Sequence, residues 1–271
     1  MFDTIIFPIL VVLIIGCLSG IMLSVASKFF AVKTDERISQ VRAELPGANC
    51  GACGYSGCDA YAAAIVAGAK TNLCVPGGST AAQKVSAIMG VASEEVVAKV
   101  AVVKCTGNKN VAGYVMDYQG PKTCLACNSF YQGSRSCSHG CLGYGDCVEA
   151  CQYDAISIVD GVAVVDRTRC TGCGMCAKQC PNHLIEIVPA TARAFVGCSS
   201  CDKGAYTRKV CKVGCIGCKK CERTCPNGAA KVVNNLATID VNLCVNCGEC
   251  AKQCPTGAIQ FCMPKLVNTQ S

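Results

Sequence analysis

Cys215-Ile-Gly-Cys218-Lys-Lys-Cys221-Glu-Arg-Thr-Cys225-Pro226 is followed by Cys244-Val-Asn-Cys247-Gly-Glu-Cys250-Ala-Lys-Gln-Cys254-Pro255, two copies of one C-x2-C-x2-C-x3-C-P run. The run has a geometric reason. Three cysteines spaced by two residues wrap a tight loop around three irons of a [4Fe–4S] cube, and the fourth, pinned by a proline expected to start a helix, reaches away to a second cube. Cys215, Cys218, Cys221 and Cys254 are therefore expected on one cube, and Cys244, Cys247, Cys250 and Cys225 on the other. Between the copies, Lys231–Val233 and Ala237–Ile239 flank Asn234-Asn235, which predicts a β-hairpin with a tight turn. Isolated C-x2-C pairs also serve structural zinc. Eight ligands in two phased repeats, each closed by Cys-Pro, argue against that alternative.

Working outward, the same grammar recurs. Cys137-Ser-His-Gly-Cys141-Leu-Gly-Tyr-Gly-Asp-Cys147-Val-Glu-Ala-Cys151 precedes Cys170-Thr-Gly-Cys173-Gly-Met-Cys176-Ala-Lys-Gln-Cys180-Pro181. The second of these is regular, whereas the first reads as a stretched C-x3-C-x5-C-x3-C with Gln152 in place of proline. Asp160-Gly161 between two short β-branched runs is a strong hairpin signal. This stretch is thus expected to be a second ferredoxin-like pair of sites, with Cys137, Cys141, Cys147 and Cys180 on one cube and Cys170, Cys173, Cys176 and Cys151 on the other. Nearer the N-terminus, Cys50-Gly-Ala-Cys53-Gly-Tyr-Ser-Gly-Cys58 with Cys74 gives four thiolates for a single cube, in an Ala-rich region predicted to be helical over 59–70, 79–89 and 93–102.

Composition agrees with metal-nucleated folding. The chain has 28 cysteines in 271 residues, no tryptophan and only 6% aromatic residues, so conventional cores must be small and aliphatic. Five cubes use twenty cysteines. The remaining eight include the pairs Cys124/Cys127 and Cys198/Cys201, which with Cys105 and Cys211 allow a sixth centre; buried free thiols are the alternative.

From Thr4 to Ser27 the chain is uncharged and rich in Ile, Leu and Val, long enough to cross a bilayer of about 30 Å. Lys28, Lys33 and Arg37 follow it while only Asp3 precedes, which predicts a single-pass anchor with the bulk of the chain on the cytoplasmic side. The fold expected is α+β: an anchor over 1–28, a linker over 29–45, a helical four-cysteine domain over 46–103, a cysteine-containing connector over 104–133, ferredoxin-like modules over 134–190 and 191–265, and a tail over 266–271. Nothing resembles a dinucleotide fingerprint or a P-loop, and no nucleic-acid partner is expected. His139 and His183, the only histidines, read as surface residues beside cluster runs.

Anchor, four-cysteine module and two double-cluster modules, in that order, resemble the B subunit of the Rnf complex, the ion-translocating ferredoxin:NAD oxidoreductase of bacterial membranes. The four-cysteine module also resembles a segment of corrinoid iron–sulfur proteins. The Rnf resemblance implies a bacterial cytoplasmic-membrane subunit that takes electrons from reduced ferredoxin and relays them through [4Fe–4S] clusters to flavin- and NAD-binding partner subunits, with no hydride-transfer site and no catalytic residue of its own. The alternative is a membrane-tethered polyferredoxin that stores electrons for an unrelated reductase.

The exchanged-ligand spacing makes its own prediction. Cys225→Ser should abolish the cube served by Cys244, Cys247 and Cys250 and spare the one served by its neighbours in sequence. EPR of the reduced chain checks this; loss of the Cys215 signal instead would disprove the exchange.

Overall fold

The computed structural model describes residues 2–29, 35–130 and 132–262. Lys33 and the expected tail over 266–271 lie outside the described residues.

Helix α1 (Phe2–Phe29) carries Pro8 within its first two turns. Its described apolar side chains from Ile6 to Val25 are mostly exposed, which water would penalise and a bilayer would not. It is the one helix among the described residues long and apolar enough to cross a membrane.

Three helices build the next unit. Asp35 caps α2 (Glu36–Glu44) by accepting the Arg37 N–H at 2.9 Å. With α3 (Cys58–Val66) and α4 (Gly78–Met89), α2 encloses a core in which Val41, Tyr61, Ile65 and Val85 are fully buried, worth roughly 2 kcal/mol per side chain. So 36–44, expected as linker, is a wall of the four-cysteine unit, because Val41 and Leu45 complete its core. The Tyr61 hydroxyl pins the Cys74 loop, donating to the Lys70 carbonyl at 2.8 Å and accepting the Leu73 N–H at 3.0 Å.

The chain then enters β1 (Lys99–Val103). A helix was expected here through Val102; Val100 to Val103 instead run buried along an antiparallel partner, the environment that suits β-branched side chains. After α5 (Cys124–Asn128) and α6 (Asp146–Glu149) come the hairpin β2 (Ile156–Val159) and β3 (Val162–Val165), α7 (Met175–Gln179), and β4 (Ile185–Pro189). β4 pairs back onto β1, with Lys99 opposite Pro189 and Val103 opposite Ile185, so the first ferredoxin-like module begins at Lys99.

The second module repeats the plan. β5 (Ala194–Val196) leads through α8 (Gly204–Val210) and α9 (Lys220–Thr224) to the hairpin β6 (Ala230–Val233) and β7 (Leu236–Ile239), then α10 (Glu249–Lys252) and β8 (Ile259–Phe261), which pairs with β5. Both hairpins turn on two residues at positive φ, Asp160-Gly161 and Asn234-Asn235, the twist a two-residue hairpin needs. In each module the buried aliphatic side chains and the buried cysteines form one core.

Because the core of every cysteine-bearing unit is closed without α1, a chain lacking residues 1–30 should be soluble and keep its full iron content. Iron per chain in the purified truncation checks this, and a deficit would give the anchor a part in cofactor binding.

Candidate iron–sulfur sites

Each regular run follows one backbone recipe. In Cys170-Thr-Gly172-Cys173-Gly174 and Cys215-Ile-Gly217-Cys218-Lys219, the residues before and after the second cysteine have positive φ, as do Asn246 and Gly248 around Cys247. The chain thereby curls so that its sulfurs face inward. Glycine at the first position has a steric reason as well: a Cβ on Gly172 would sit 2.5 Å from the Lys99 carbonyl, and one on Gly217 would sit 2.9 Å from that of Asn235.

These loops bring together the sets that the spacing foretold for the second module. Cys215, Cys218, Cys221 and Cys254 line one cavity, and Cys225, Cys244, Cys247 and Cys250 line another. Cys176 has Cys170, Cys173 and Cys151 as its thiol neighbours, and Cys74 has Cys58, Cys50 and Cys53.

The irregular run is different. Cys124, Cys141, Cys147 and Cys180 line its cavity, and Cys137, expected there, lines another. The backbone explains the exchange. Gly143 and Gly145 have the positive φ of Gly217 and Lys219, so Cys141-Leu-Gly-Tyr144-Gly-Asp-Cys147 is the regular run with Tyr144 in the second cysteine's place. A fourth thiol, Cys124 of α5, lines the cavity in its stead. Buried Asp146 fixes that helix by accepting the Cys124 N–H at 2.7 Å and the Leu125 N–H at 3.1 Å, while Tyr144 packs edge-on to Tyr118 at 5.9 Å. The signal was legible: one phase of the segment reads C-x2-Y-x2-C-x3-C. A last group of four, Cys105, Cys137, Cys198 and Cys211, lines a further cavity. Of the other cysteines weighed for a further centre, Cys127 is buried beside Ser134 and Cys201 is exposed.

Donor chemistry fits sulfur clusters. Backbone N–H groups approach the sulfurs of Cys151 (from Ala155, 3.4 Å), Cys170 (Ala101, 3.3 Å), Cys180 (Leu184, 3.4 Å) and Cys215 (Ala237, 3.4 Å), the bonds that stabilise and tune a cluster. Burial, reinforced by neighbouring thiolates, pushes Cys147 and Cys176 up to about 12, and it takes Cys141 and Cys221 up to about 11. Metal loading must therefore displace protons there. After the Cys-Pro corners the sign reverses. Burial raises Cys225, but the N–H groups of Ala230, Asn227, Ala229 and Gly228 outweigh it, and Ile259, Thr256 and Ala258 do the same for Cys254. Among the described residues no three His, Cys, Asp or Glu side chains converge as a single ion requires.

A chain that offers successive four-thiolate sites on two ferredoxin-like modules, behind an apolar helix, is an iron–sulfur electron carrier. Family signatures agree: residues 45–76 match a putative Fe-S cluster family, 163–186 a 4Fe-4S binding domain, and 214–258 a 4Fe-4S dicluster domain. The chain is 44% identical over 242 residues (89% of it, 73% of the relative) to the B subunit of the Na(+)-translocating ferredoxin:NAD(+) oxidoreductase complex of Acetobacterium woodii. It is 39% identical over 244 residues (89% and 86%) to the proton-translocating counterpart of Clostridium ljungdahlii. With the B subunit of the ion-translocating oxidoreductase complex of Methanosarcina acetivorans it shares 41% over 228 residues (83% and 86%). The protein belongs to the family of B subunits of the ion-translocating ferredoxin:NAD oxidoreductase (Rnf) complexes, as their iron–sulfur electron-transfer component.

The phase of the irregular run can be tested by moving the ligand. Cys124→Ala should remove one cube, about four irons per chain. Adding Tyr144→Cys, which restores the regular run, should bring those irons back. Iron and sulfide analysis of both variants checks this, and full iron in Cys124→Ala would show that Cys124 is no ligand.

Proposed function

We propose that this chain accepts electrons from reduced ferredoxin at its second module and relays them toward partner subunits that hold flavin and bind NAD. Five cubes carry the relay. Their ligand sets are Cys50/Cys53/Cys58/Cys74, Cys151/Cys170/Cys173/Cys176, Cys124/Cys141/Cys147/Cys180, Cys215/Cys218/Cys221/Cys254 and Cys225/Cys244/Cys247/Cys250. When bound, each cube supplies a one-electron carrier whose potential follows hydrogen bonding, charge and burial.

The observation that supports this reading best is the unequal exposure of the two ends. Cys218 and Cys247 of the second module are exposed, whereas Cys141, Cys147, Cys170, Cys173 and Cys176 of the first are buried. An external donor can approach the former. Around Cys218 lie Lys203, Arg208, Lys209, Lys212, Lys219, Lys220, Arg223 and Lys231, all exposed, with only Asp202 and Glu222 opposing them between 202 and 231. Bacterial ferredoxins are generally acidic, and a basic collar raises the on-rate of such a partner without demanding tight binding. Toward the other end, Lys178 of the first module donates to the Cys50 carbonyl at 2.8 Å, which fastens the four-cysteine unit beside the Cys170 site. Continuity from the second module to the four-cysteine unit favours transfer over storage. Lys28 closing α1 supports an orientation with these modules on the cytoplasmic side of the bacterial membrane.

Stopped-flow reduction of the anaerobic full chain tests this. Reduced ferredoxin should reduce the parent, and Lys219→Glu with Lys220→Glu should slow that step roughly tenfold at low ionic strength and flatten its salt dependence. Reduction by a small uncharged reagent should be unchanged. No reduction of the parent by ferredoxin would end the proposal; equal rates for parent and variant would move the docking site elsewhere.

A further inference from the structure

The five sets leave eight of the 28 cysteines, and four of those eight are placed by symmetry. From Cys137 onward the second module repeats the first at an offset of 74 residues: Cys137 and Cys211, Cys141 and Cys215, Cys147 and Cys221, and each later ligand pair through Cys180 and Cys254. Ahead of the repeat, Cys105 stands two residues beyond the last residue of β1, and Cys198 stands two beyond that of β5. Each module thus contributes one cysteine from the end of its first strand and one from four positions before its first run.

All four line the same cavity, as each of three other groups of four cysteines lines one of its own. The module interface is bonded there. Thr106 donates its N–H to the Gly197 carbonyl at 3.0 Å, Ser199 donates its hydroxyl to the Lys104 carbonyl at 3.0 Å, and Lys212 donates its N–H to the Val111 carbonyl at 3.0 Å. Gly107 keeps the space open, since a Cβ on it would lie 3.1 Å from the Cys211 sulfur and 3.8 Å from that of Cys105.

Two further observations point to a cluster rather than to buried thiols. First, the Cys141 N–H approaches the Cys105 sulfur at 3.4 Å, and the Cys215 N–H makes the matching bond to Cys198, the same N–H to sulfur bonding seen at the other sites. Secondly, Arg135 lines the cavity at 3% exposure with no ion-pair partner among the described residues. It donates to the Gly107 and Gly161 carbonyls at 2.6 and 2.5 Å, and its Nε has no partner there either. A buried guanidinium without a counter-charge is costly. A cube with four thiolates carries net negative charge in both its redox states and supplies one.

We propose that Cys105, Cys137, Cys198 and Cys211 hold a sixth [4Fe–4S] cube, shared between the two ferredoxin-like modules. Its neighbours follow from the two N–H bonds: Cys141 is a ligand of the nearest cube in one module, and Cys215 is a ligand of the nearest in the other. The cube adds a one-electron carrier between them, each transfer oxidising one cube and reducing the next with no bond made or broken.

Iron and acid-labile sulfide of the full chain, purified anaerobically, test the count without any substitution: about 24 of each per chain supports six cubes. About 20 of each, or about 20 irons with one zinc, would overturn the sixth cube while leaving the five-cube relay in place. Cys198→Ala and Cys211→Ala should each lose about four irons and one Mössbauer subspectrum, and Cys201→Ala should lose none. Parent iron content in both ligand variants would also overturn it. If a variant fails to fold, the parent count decides.

Discussion

A [4Fe–4S] cube needs four thiolates converging on one small space, and a tight loop can deliver only three of them. That constraint shapes this molecule. The fourth thiolate must come from elsewhere in the chain, and whichever segment supplies it is tied to the loop by iron. In the second module Cys225 and Cys254 each line the cavity of the other run, with the hairpin β6–β7 between the two runs in sequence. In the first module Cys124 reaches the cavity of the irregular run from a stretch that holds one short helix.

Metal ligation also explains why so little conventional core suffices. The strands are three to five residues long, each sheet has two strands, and the aliphatic clusters include the ligand cysteines themselves. Such pieces are marginal alone. The thiols that burial pushes to about 11 or 12 would be protonated at neutral pH without metal, so the free energy of cluster binding must drive both proton release and chain ordering. The Cys-Pro thiols differ because the N–H groups behind the proline already surround the sulfur.

Much of this was legible in the sequence, and the misses have physical causes. Runs, corners and hairpin turns are local, so Cys215 to Pro226 and Asp160-Gly161 announce their geometry in a dozen residues. The segment 93–102 misled because a helical count of charges and alanines cannot register that Val100 to Val103 lie against β4, far along the chain. Residues 36–44 read as linker because Val41 and Leu45 gain meaning only once α3 and α4 are beside them. Cys137 was assigned by proximity in sequence to Cys141, whereas the φ pattern of Gly143 and Gly145 sets the phase of the run and makes Tyr144 the substituted ligand position. Long-range ligands such as Cys124 leave no local trace.

The arrangement also bears on how the chain works inside an assembly. A relay must keep neighbouring sites close while exposing only the ends that meet partners. Here closeness is enforced by bonds between ligand residues or their immediate surroundings: Lys178 to the Cys50 carbonyl between the four-cysteine unit and the first module, and the Cys141 N–H to the Cys105 sulfur at the join between modules. Exposure is restricted in the same way. The first module's Cys141, Cys147, Cys170, Cys173 and Cys176 are buried, Cys218 and Cys247 of the second are exposed, and the stretch 202–231 that carries Cys218 holds eight lysines and arginines against two acids. The net basic charge of the chain is therefore better understood as a local field at that end than as a property of the whole surface.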